Sequence, residues 1–271
     1  MISGQIKQLL LVFLVLLLGG PEALLAGSSR EDRTELLLYC SIILLPPISE
    51  MARSFERQEG VRITINQGGS EDLLLNLESS RQGDLYIPGF DDYCRREAVS
   101  GLISDSRVIG YNQLALVVPK GNPQRLSGDV RLLQRRDLAV VIGHEEISSV
   151  GKATRRLLES LGIYREVVEN AVYLGTDSRH LTSALKRGEA DVVLNWRATA
   201  LFAENRNALE LLDLDPQLAR PQPIRICRLN TSRHPELANR FMRLAEGPIG
   251  QGILRRHGFY DASRWPNERL P

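Results

Sequence analysis

The feature that most constrains the fold is an alternation running through residues 35–101. Short apolar runs suited to buried strands take turns with segments whose apolar residues recur at helical spacing. Glu35-Leu36-Leu37-Leu38-Tyr39 reads as a buried strand, and Pro46-Pro47 then opens a helix with Ile48, Met51, Ala52 and Phe55 on one face. Val61-Arg62-Ile63-Thr64-Ile65 reads as a second strand, and Leu73, Leu74 and Leu77 mark a second helix. Leu85-Tyr86-Ile87 is a third strand, broken by Pro88-Gly89, before a helix that carries Tyr93 and Ala98 and ends at Gly101. Such repetition implies parallel strands with helices on both faces. Ligands of such sheets sit beyond the carboxyl ends of the strands, where Ser41, Ser70 and Pro88-Gly89 fall.

The pattern resumes after a turn cluster. Gln113-Leu114-Ala115-Leu116-Val117-Val118-Pro119 is a strand ended by Lys120-Gly121-Asn122-Pro123, and a crossing into a second lobe is placed there. Leu138-Ala139-Val140-Val141-Ile142-Gly143 is a buried strand, followed by a helix from Val150-Gly151-Lys152. Ala171-Val172-Tyr173-Leu174 is a strand, with a helix from Asp177-Ser178 behind it. Asp191-Val192-Val193-Leu194-Asn195 is another, with Trp196-Arg197 at its carboxyl end. Ile224-Arg225-Ile226-Cys227-Arg228-Leu229 reads as a return strand. The expectation is an α/β chain of two lobes, each a mainly parallel sheet flanked by helices. Residues 30–116 and 224–271 form one lobe, residues 117–223 the other, and two segments cross between them. A cleft between two lobes is a common ligand site and commonly closes by a hinge.

Residues 1–29 stand apart from this pattern. Lys7 precedes an unbroken apolar run at residues 9–18, closed by Gly19-Gly20-Pro21, and Ala23-Leu24-Leu25-Ala26-Gly27 offers small residues for cleavage. The run is about half the ~20 residues a membrane-spanning helix needs, so it reads as a secretory signal peptide and predicts a periplasmic protein. Whether the leader is cleaved or kept as an anchor stays open. Ser28 stands where a lipoprotein signal requires cysteine, which argues against a lipid anchor. A net charge of +1 argues against a general nucleic-acid binder. Cys40, Cys94 and Cys227 show no metal spacing. Export permits one disulfide and one free thiol among them, and buried inert thiols are the other reading.

The stretch Asn66-Gln67-Gly68-Gly69-Ser70-Glu71-Asp72 concentrates the functional signal. It joins the second strand to its helix, and Ser70 falls at the helix start. A helix start offers unpaired N–H groups and the positive end of the dipole. Gly69 leaves room for a ligand's approach. Ser70 is therefore read either as a cap on its own helix or as a contact to an anion. His144-Glu145-Glu146 has no second histidine at helical spacing and is not read as a metal site. No nucleophile, base and orienting group converge, so binding is expected rather than catalysis, with no cofactor.

Several ordered segments resemble the periplasmic solute-binding proteins of molybdate-type ABC transporters. They are Leu38-Tyr39-Cys40-Ser41, Gly68-Gly69-Ser70, Gly83-Asp84-Leu85-Tyr86, Leu116-Val117-Val118-Pro119-Lys120-Gly121-Asn122-Pro123, the loop 143–151, Gly188-Glu189-Ala190-Asp191, and Pro248-Ile249-Gly250-Gln251-Gly252-Ile253-Leu254 before His257-Gly258-Phe259. The resemblance implies a two-lobed type II periplasmic-binding-protein fold. It also implies a tetrahedral molybdate or tungstate held by hydroxyls and backbone N–H groups, with the bound oxyanion delivered by a monomer to an ABC permease in the inner membrane. Carried over by position, it assigns ligand contact to Ser70, to the backbone near Ser149 or Val150, and to Ser178. Two positions depart from the pattern. Ile43 stands where a first-loop serine is expected, leaving Cys40 and Ser41 as nearby substitutes, and Trp196 stands where a tyrosine hydroxyl is expected. The chain thus resembles a divergent branch. Another oxyanion, a small carboxylated solute, or a sensor that presents ligand to a membrane receptor stay open as alternatives.

Overall fold

The computed structural model describes residues 34–264; the leader at residues 1–29 lies outside them. The described chain opens on β1 (Glu35–Ser41), which is buried on both faces from Leu38 to Ser41, as befits a central strand between parallel neighbours. A tight turn at Ile42–Leu44 leads into α1 (Leu45–Glu59), started by its prolines and stopped by Gly60 in the left-handed region. β2 (Arg62–Gly68), α2 (Ser70–Ser80) and β3 (Leu85–Ile87) follow, and both strands pair with β1 in parallel. The predicted helix carrying Tyr93 divides into a short turn, Asp91–Arg95, and α3 (Glu97–Ser100).

β4 (Ile103–Asn112) then completes the outbound pass. The chain enters a second sheet at β5 (Leu114–Pro119). There β6 (Val140–Gly143), α4 (Ser149–Ser160), α5 (Tyr164–Asn170), β7 (Ala171–Gly175), α6 (Ser178–Lys186) and β8 (Val192–Trp196) build the same plan. β6 is the centre, with β7 and β8 parallel on either side. After α7 (Arg197–Leu201), β9 (Leu209–Asp213) closes this sheet's edge on β5. β10 (Gln222–Leu229) returns to the first sheet, where α8 (Pro235–Glu246), α9 (Pro248–Arg256) and β11 (Tyr260–Asp261) finish the described chain.

The sheet orders are β11-β4-β10-β3-β1-β2 and β7-β6-β8-β5-β9. Both sheets are mixed. Their parallel parts are the strand–helix–strand units that the alternation revealed. The antiparallel strands are those outside these units: β10 runs against β3 and β4, and β5 runs against β8 and β9. The core is continuous and apolar, and edge-to-face packing of Phe55 on Phe241 (5.3 Å between ring centres) ties α1 to α8.

Two aspartates from the Gly-Asp and Ala-Asp segments do equivalent work in the two sheets. Asp84 accepts from the Leu37 N–H at 2.8 Å, and Asp191 accepts from the Ala139 N–H at 2.8 Å. Each carboxylate holds the start of the central strand beside the third one, so the three parallel strands end together. Where the chain passes between sheets, buried Gln113 donates through Nε2 to the carbonyls of Leu214 (3.3 Å) and Ala219 (2.8 Å). Outbound and return segments are thereby fastened to each other. Among the described residues no helix is long and apolar enough to cross a membrane.

Candidate functional site

Register alone brings three chain ends together in the first lobe. Ser41 lies opposite Gly68, and Cys40 opposite Ile87. Ser41, the Gly68-Gly69-Ser70 turn and Pro88-Gly89 therefore leave the sheet side by side. The second lobe offers the same arrangement, with Ser149 and Ser178 opening the helices after β6 and β7 and Trp196 ending β8.

Three serine hydroxyls meet at Gly89. A Cβ on that glycine would stand 2.6 Å from Ser41 Oγ, 2.8 Å from Ser149 Oγ and 3.1 Å from Ser70 Oγ. Only a residue without a side chain permits this approach. Ser70 Oγ accepts from the Gly89 N–H at 3.1 Å and lies 3.5 Å from Ser41 Oγ. The Trp196 indole N–H points to Ser149 Oγ at 3.4 Å, and the Trp196 ring lies 6.3 Å from that of Phe90 in the first lobe. All four side chains are buried: Ser41 is 3%, Ser70 1%, Ser149 8% and Trp196 0% exposed.

Two helix starts face this cluster. Ser70 is the first residue of α2, but its hydroxyl does not cap the helix; Gly69 occupies the cap position and has no side chain to offer. In α4 the cap is Ser148, whose Oγ accepts from the Gly151 N–H at 3.2 Å, and this leaves the neighbouring Ser149 hydroxyl to the cluster. The first N–H groups of a helix, here those of Ser70, Glu71, Ser149 and Val150, have no acceptor within it. Gly151 lets α4 start against the end of β6, since a Cβ there would stand 2.2 Å from the His144 carbonyl oxygen.

Other predicted residues lie differently. The Ser178 carbonyl accepts from Asn195 Nδ2 at 3.0 Å, and the start of α6 is capped by Asp177, which accepts from the N–H groups of Arg179 and His180. α6 packs near the Ile42–Leu44 turn, so Ser178 belongs to the cleft wall without a hydrogen bond to the serine cluster. Cys40 is fully buried, its thiol directed to the Ser41 carbonyl at 3.5 Å, and burial pushes its pKa up. Of the two substitutes near Ile43, the hydroxyl in the cluster is that of Ser41. Ile43 itself is core. Arg197 turns away from the cleft, pairing with Asp213 (3.0 Å) and donating to the Gly258 carbonyl (2.8 Å). Gly89 carries no donor side chain, so no residue-type signal marked it beyond the place of Pro88-Gly89 at a strand end. Its signal was position, the break after the third strand.

The rim is charged and paired. Lys152 on α4 meets Glu71 on α2 at 3.2 Å, and Arg156 pairs with Asp92. Lys152 also lies 5.0 Å over the Tyr93 ring, and Arg156 4.9 Å over that of Phe90. These contacts join the lobes outside the serine cluster. A cavity of about 560 Å³ opens among Glu71, Phe90, Arg96, Glu145, Lys152 and Arg156, beside the cluster rather than within it. Reaching the buried hydroxyls thus requires the lobes to part.

Comparison with known proteins agrees with this architecture. A Haemophilus influenzae protein described as a binding protein is 24% identical over 230 residues, covering 84% of this chain and 91% of its own. The molybdate-binding protein ModA of Escherichia coli is 20% identical over 243 residues, covering 86% and 92%. The structure of the sulfate-binding protein SubI of Mycobacterium tuberculosis superimposes with a TM-score of 0.76 at 17% identity, covering 86% of this chain and 90% of that one. The fold is the two-lobed type II periplasmic-binding-protein fold. The matched family model spans residues 36–260, and the chain belongs to the bacterial extracellular solute-binding protein family.

Proposed function

We propose that this protein captures a small tetrahedral oxyanion between its lobes, molybdate or tungstate first, and delivers it to an ABC permease. One observation carries the reading: hydroxyls from both lobes and two helix starts converge on one buried point, while the cations nearby are paired with carboxylates at the rim. Aimed neutral donors and helix dipoles suit a dianion enclosed away from water. A carboxylated solute needs a flat, two-oxygen recognition, and a bidentate arginine is its usual partner. None stands in the cluster among the described residues. The likeness to ModA supports molybdate, and the likeness to SubI supports the tetrahedral geometry while naming sulfate as the nearest rival.

In this reading Ser41 and Ser70 hold the anion from the first lobe. Ser149, the Val150 N–H and Trp196 close on it from the second. Thermal shift and calorimetry against molybdate, tungstate, sulfate, phosphate and a small carboxylate test the assignment. At one hundred times its dissociation constant, a ligand adds ~2.7 kcal/mol to stability. Molybdate and tungstate are expected to bind most tightly. A response confined to the carboxylate, or to none of the oxyanions, overturns the proposal. A response to sulfate alone keeps the site and changes the ion.

A further inference from the structure

Cys94 and Cys227 sit 133 residues apart in sequence, yet their Sγ atoms lie 3.1 Å apart in the buried interior. Cys94 belongs to the Asp91–Arg95 turn that follows Gly89 and Phe90, and Cys227 to β10. The approach does not depend on the sulfurs. Buried Asp91, in the same turn, accepts from Arg225 Nε at 2.6 Å, two residues before Cys227. A disulfide needs its sulfurs at about 2.05 Å, roughly 1 Å nearer than these thiols stand. The backbone on both sides is already fixed in place.

Topology keeps the third cysteine from Cys227. Cys40 is on β1 and Cys227 on β10, and β3 runs between those strands. Two strand spacings put their backbones about 9–10 Å apart, beyond the reach of a disulfide. Members of an extracellular family fold in an oxidising compartment. We propose that Cys94 and Cys227 form a disulfide in the exported protein and that Cys40 stays a free thiol.

The chemistry balances by exchange with a protein disulfide oxidant. The thiolate of one cysteine attacks the oxidant's S–S bond, giving a mixed disulfide and releasing one oxidant thiol. The second cysteine's thiolate then attacks the first cysteine's sulfur and releases the other oxidant thiol. One S–S bond forms and one breaks, and two protons and two electrons pass to the oxidant. The neighbouring Cys227 thiol and burial push the Cys94 pKa up, so Cys94 in the folded protein is a poor nucleophile. The exchange therefore belongs to the folding chain, before β10 docks, and burial afterwards shields the bond from reductants.

The crosslink has a mechanical consequence. The loop it closes contains both passages between the sheets and the whole second sheet. It staples the turn behind Gly89 to the return strand inside the first lobe and puts no tether across the cleft. The floor of the site is fixed while the second lobe stays free to hinge.

The test uses the full chain, exported to the periplasm in one preparation and made in a reducing cytosol in another. Denatured exported protein is expected to take one alkylating group, at Cys40, before reduction and three after it. A peptide map should join Cys94 to Cys227. Three reactive thiols before reduction, or a map joining Cys40 to either partner, overturns the proposal. Because burial shields the bond, the exported protein is reduced while denatured and refolded under reductant, and its melting temperature should then be about 10 °C lower, from loop-closure entropy. Cys40→Ser should show the same fall, and the Cys94→Ser, Cys227→Ser double variant none. An exported wild-type protein whose melting is unmoved by reduction in the denatured state and refolding under reductant overturns it as well.

Discussion

Ser41 and Ser149, one from each lobe, bring their hydroxyl oxygens to the same face of Gly89, 2.6 and 2.8 Å from the point where a Cβ would stand. This ties the chemistry of the cleft to the absence of a side chain. Gly89→Ala places a methyl group against both oxygens and against Ser70 Oγ at 3.1 Å. Serine hydroxyls swing aside at little cost, so the variant should fold, with a melting temperature a few degrees lower. The swing turns the donors away from one another. Oxyanion affinity should fall at least about a hundredfold, corresponding to one or two charge-assisted hydrogen bonds. Calorimetry on the folded variant checks this, and unchanged affinity would show that the hydroxyls do not act together.

Ser70→Ala removes one donor and leaves the others in place. A hydrogen bond to a charged group is worth about 1.5–3 kcal/mol, so affinity should drop about ten- to hundredfold. The Gly89 N–H also loses its 3.1 Å acceptor, at a cost of about 1 kcal/mol in stability. Ser178→Ala should behave differently. What Ser178 contributes to the contact with Asn195 is its carbonyl, which the substitution keeps. Its effect on affinity is expected to be no more than a few-fold. Equal losses for the two variants would redraw the site around α6.

Much of this arrangement was legible from the chain. The alternation of strands and helices gave the parallel triplets, and their carboxyl ends marked Ser41, Ser70 and Trp196, while Ser149 came only with the family resemblance. β4 was not legible: Ile103-Ser104-Asp105-Ser106-Arg107-Val108 is largely polar, and its pairing with β10 depends on a partner more than a hundred residues away. β9 was hidden likewise, as a short edge strand. Caps misled more subtly. Serine is a good helix cap by type, yet Gly69 takes that position in α2 and Ser148 in α4, so the adjacent serines turn to the cleft. Cys40 and Ser41 were equivalent on paper. Opposite faces of a strand separate them, one to the interior and one to the cluster.

The rim pairs should act on closure rather than on contact. Lys152 and Glu71 belong to different lobes and are about one-fifth exposed, at 20% and 22%. Partly exposed ion pairs contribute roughly 0.2–1 kcal/mol. Lys152→Met is therefore expected to weaken oxyanion binding up to about fivefold and to reduce its sensitivity to salt. A double-variant cycle with Glu71→Gln isolates the pair. A coupling of zero would place the latch elsewhere, with Arg156 and Asp92 as the next pair to test.

Binding should be insensitive to pH between about 6 and 9. The groups at the cluster are serine hydroxyls, an indole and backbone N–H, none of which titrates in that window. The nearest thiol, Cys40, is held protonated because burial pushes its pKa up. Dissociation constants for a fully ionised oxyanion, measured across this range, should agree within about twofold. A step in the profile would reveal a titrating group that reaches the anion.

Gln113 is the residue whose loss should most disturb the join between the lobes. Its Nε2 serves the carbonyls of Leu214 and Ala219, and its Oε1 accepts from the Tyr260 hydroxyl at 3.1 Å. The side chain thus fastens the outbound passage to the return passage and to β11, at 2% exposure. Gln113→Leu keeps the approximate volume and removes all three bonds. Each buried polar group left unpaired costs about 1–3 kcal/mol, so a loss of about 3 kcal/mol is expected even if the segments partly adjust. Urea unfolding at fixed pH measures it. Gln113→Glu should fare no better, because a carboxylate cannot donate to two carbonyls and its charge would be buried. The serine cluster is untouched by either change. A stable Gln113→Leu protein would mean that the strands alone hold the passages together.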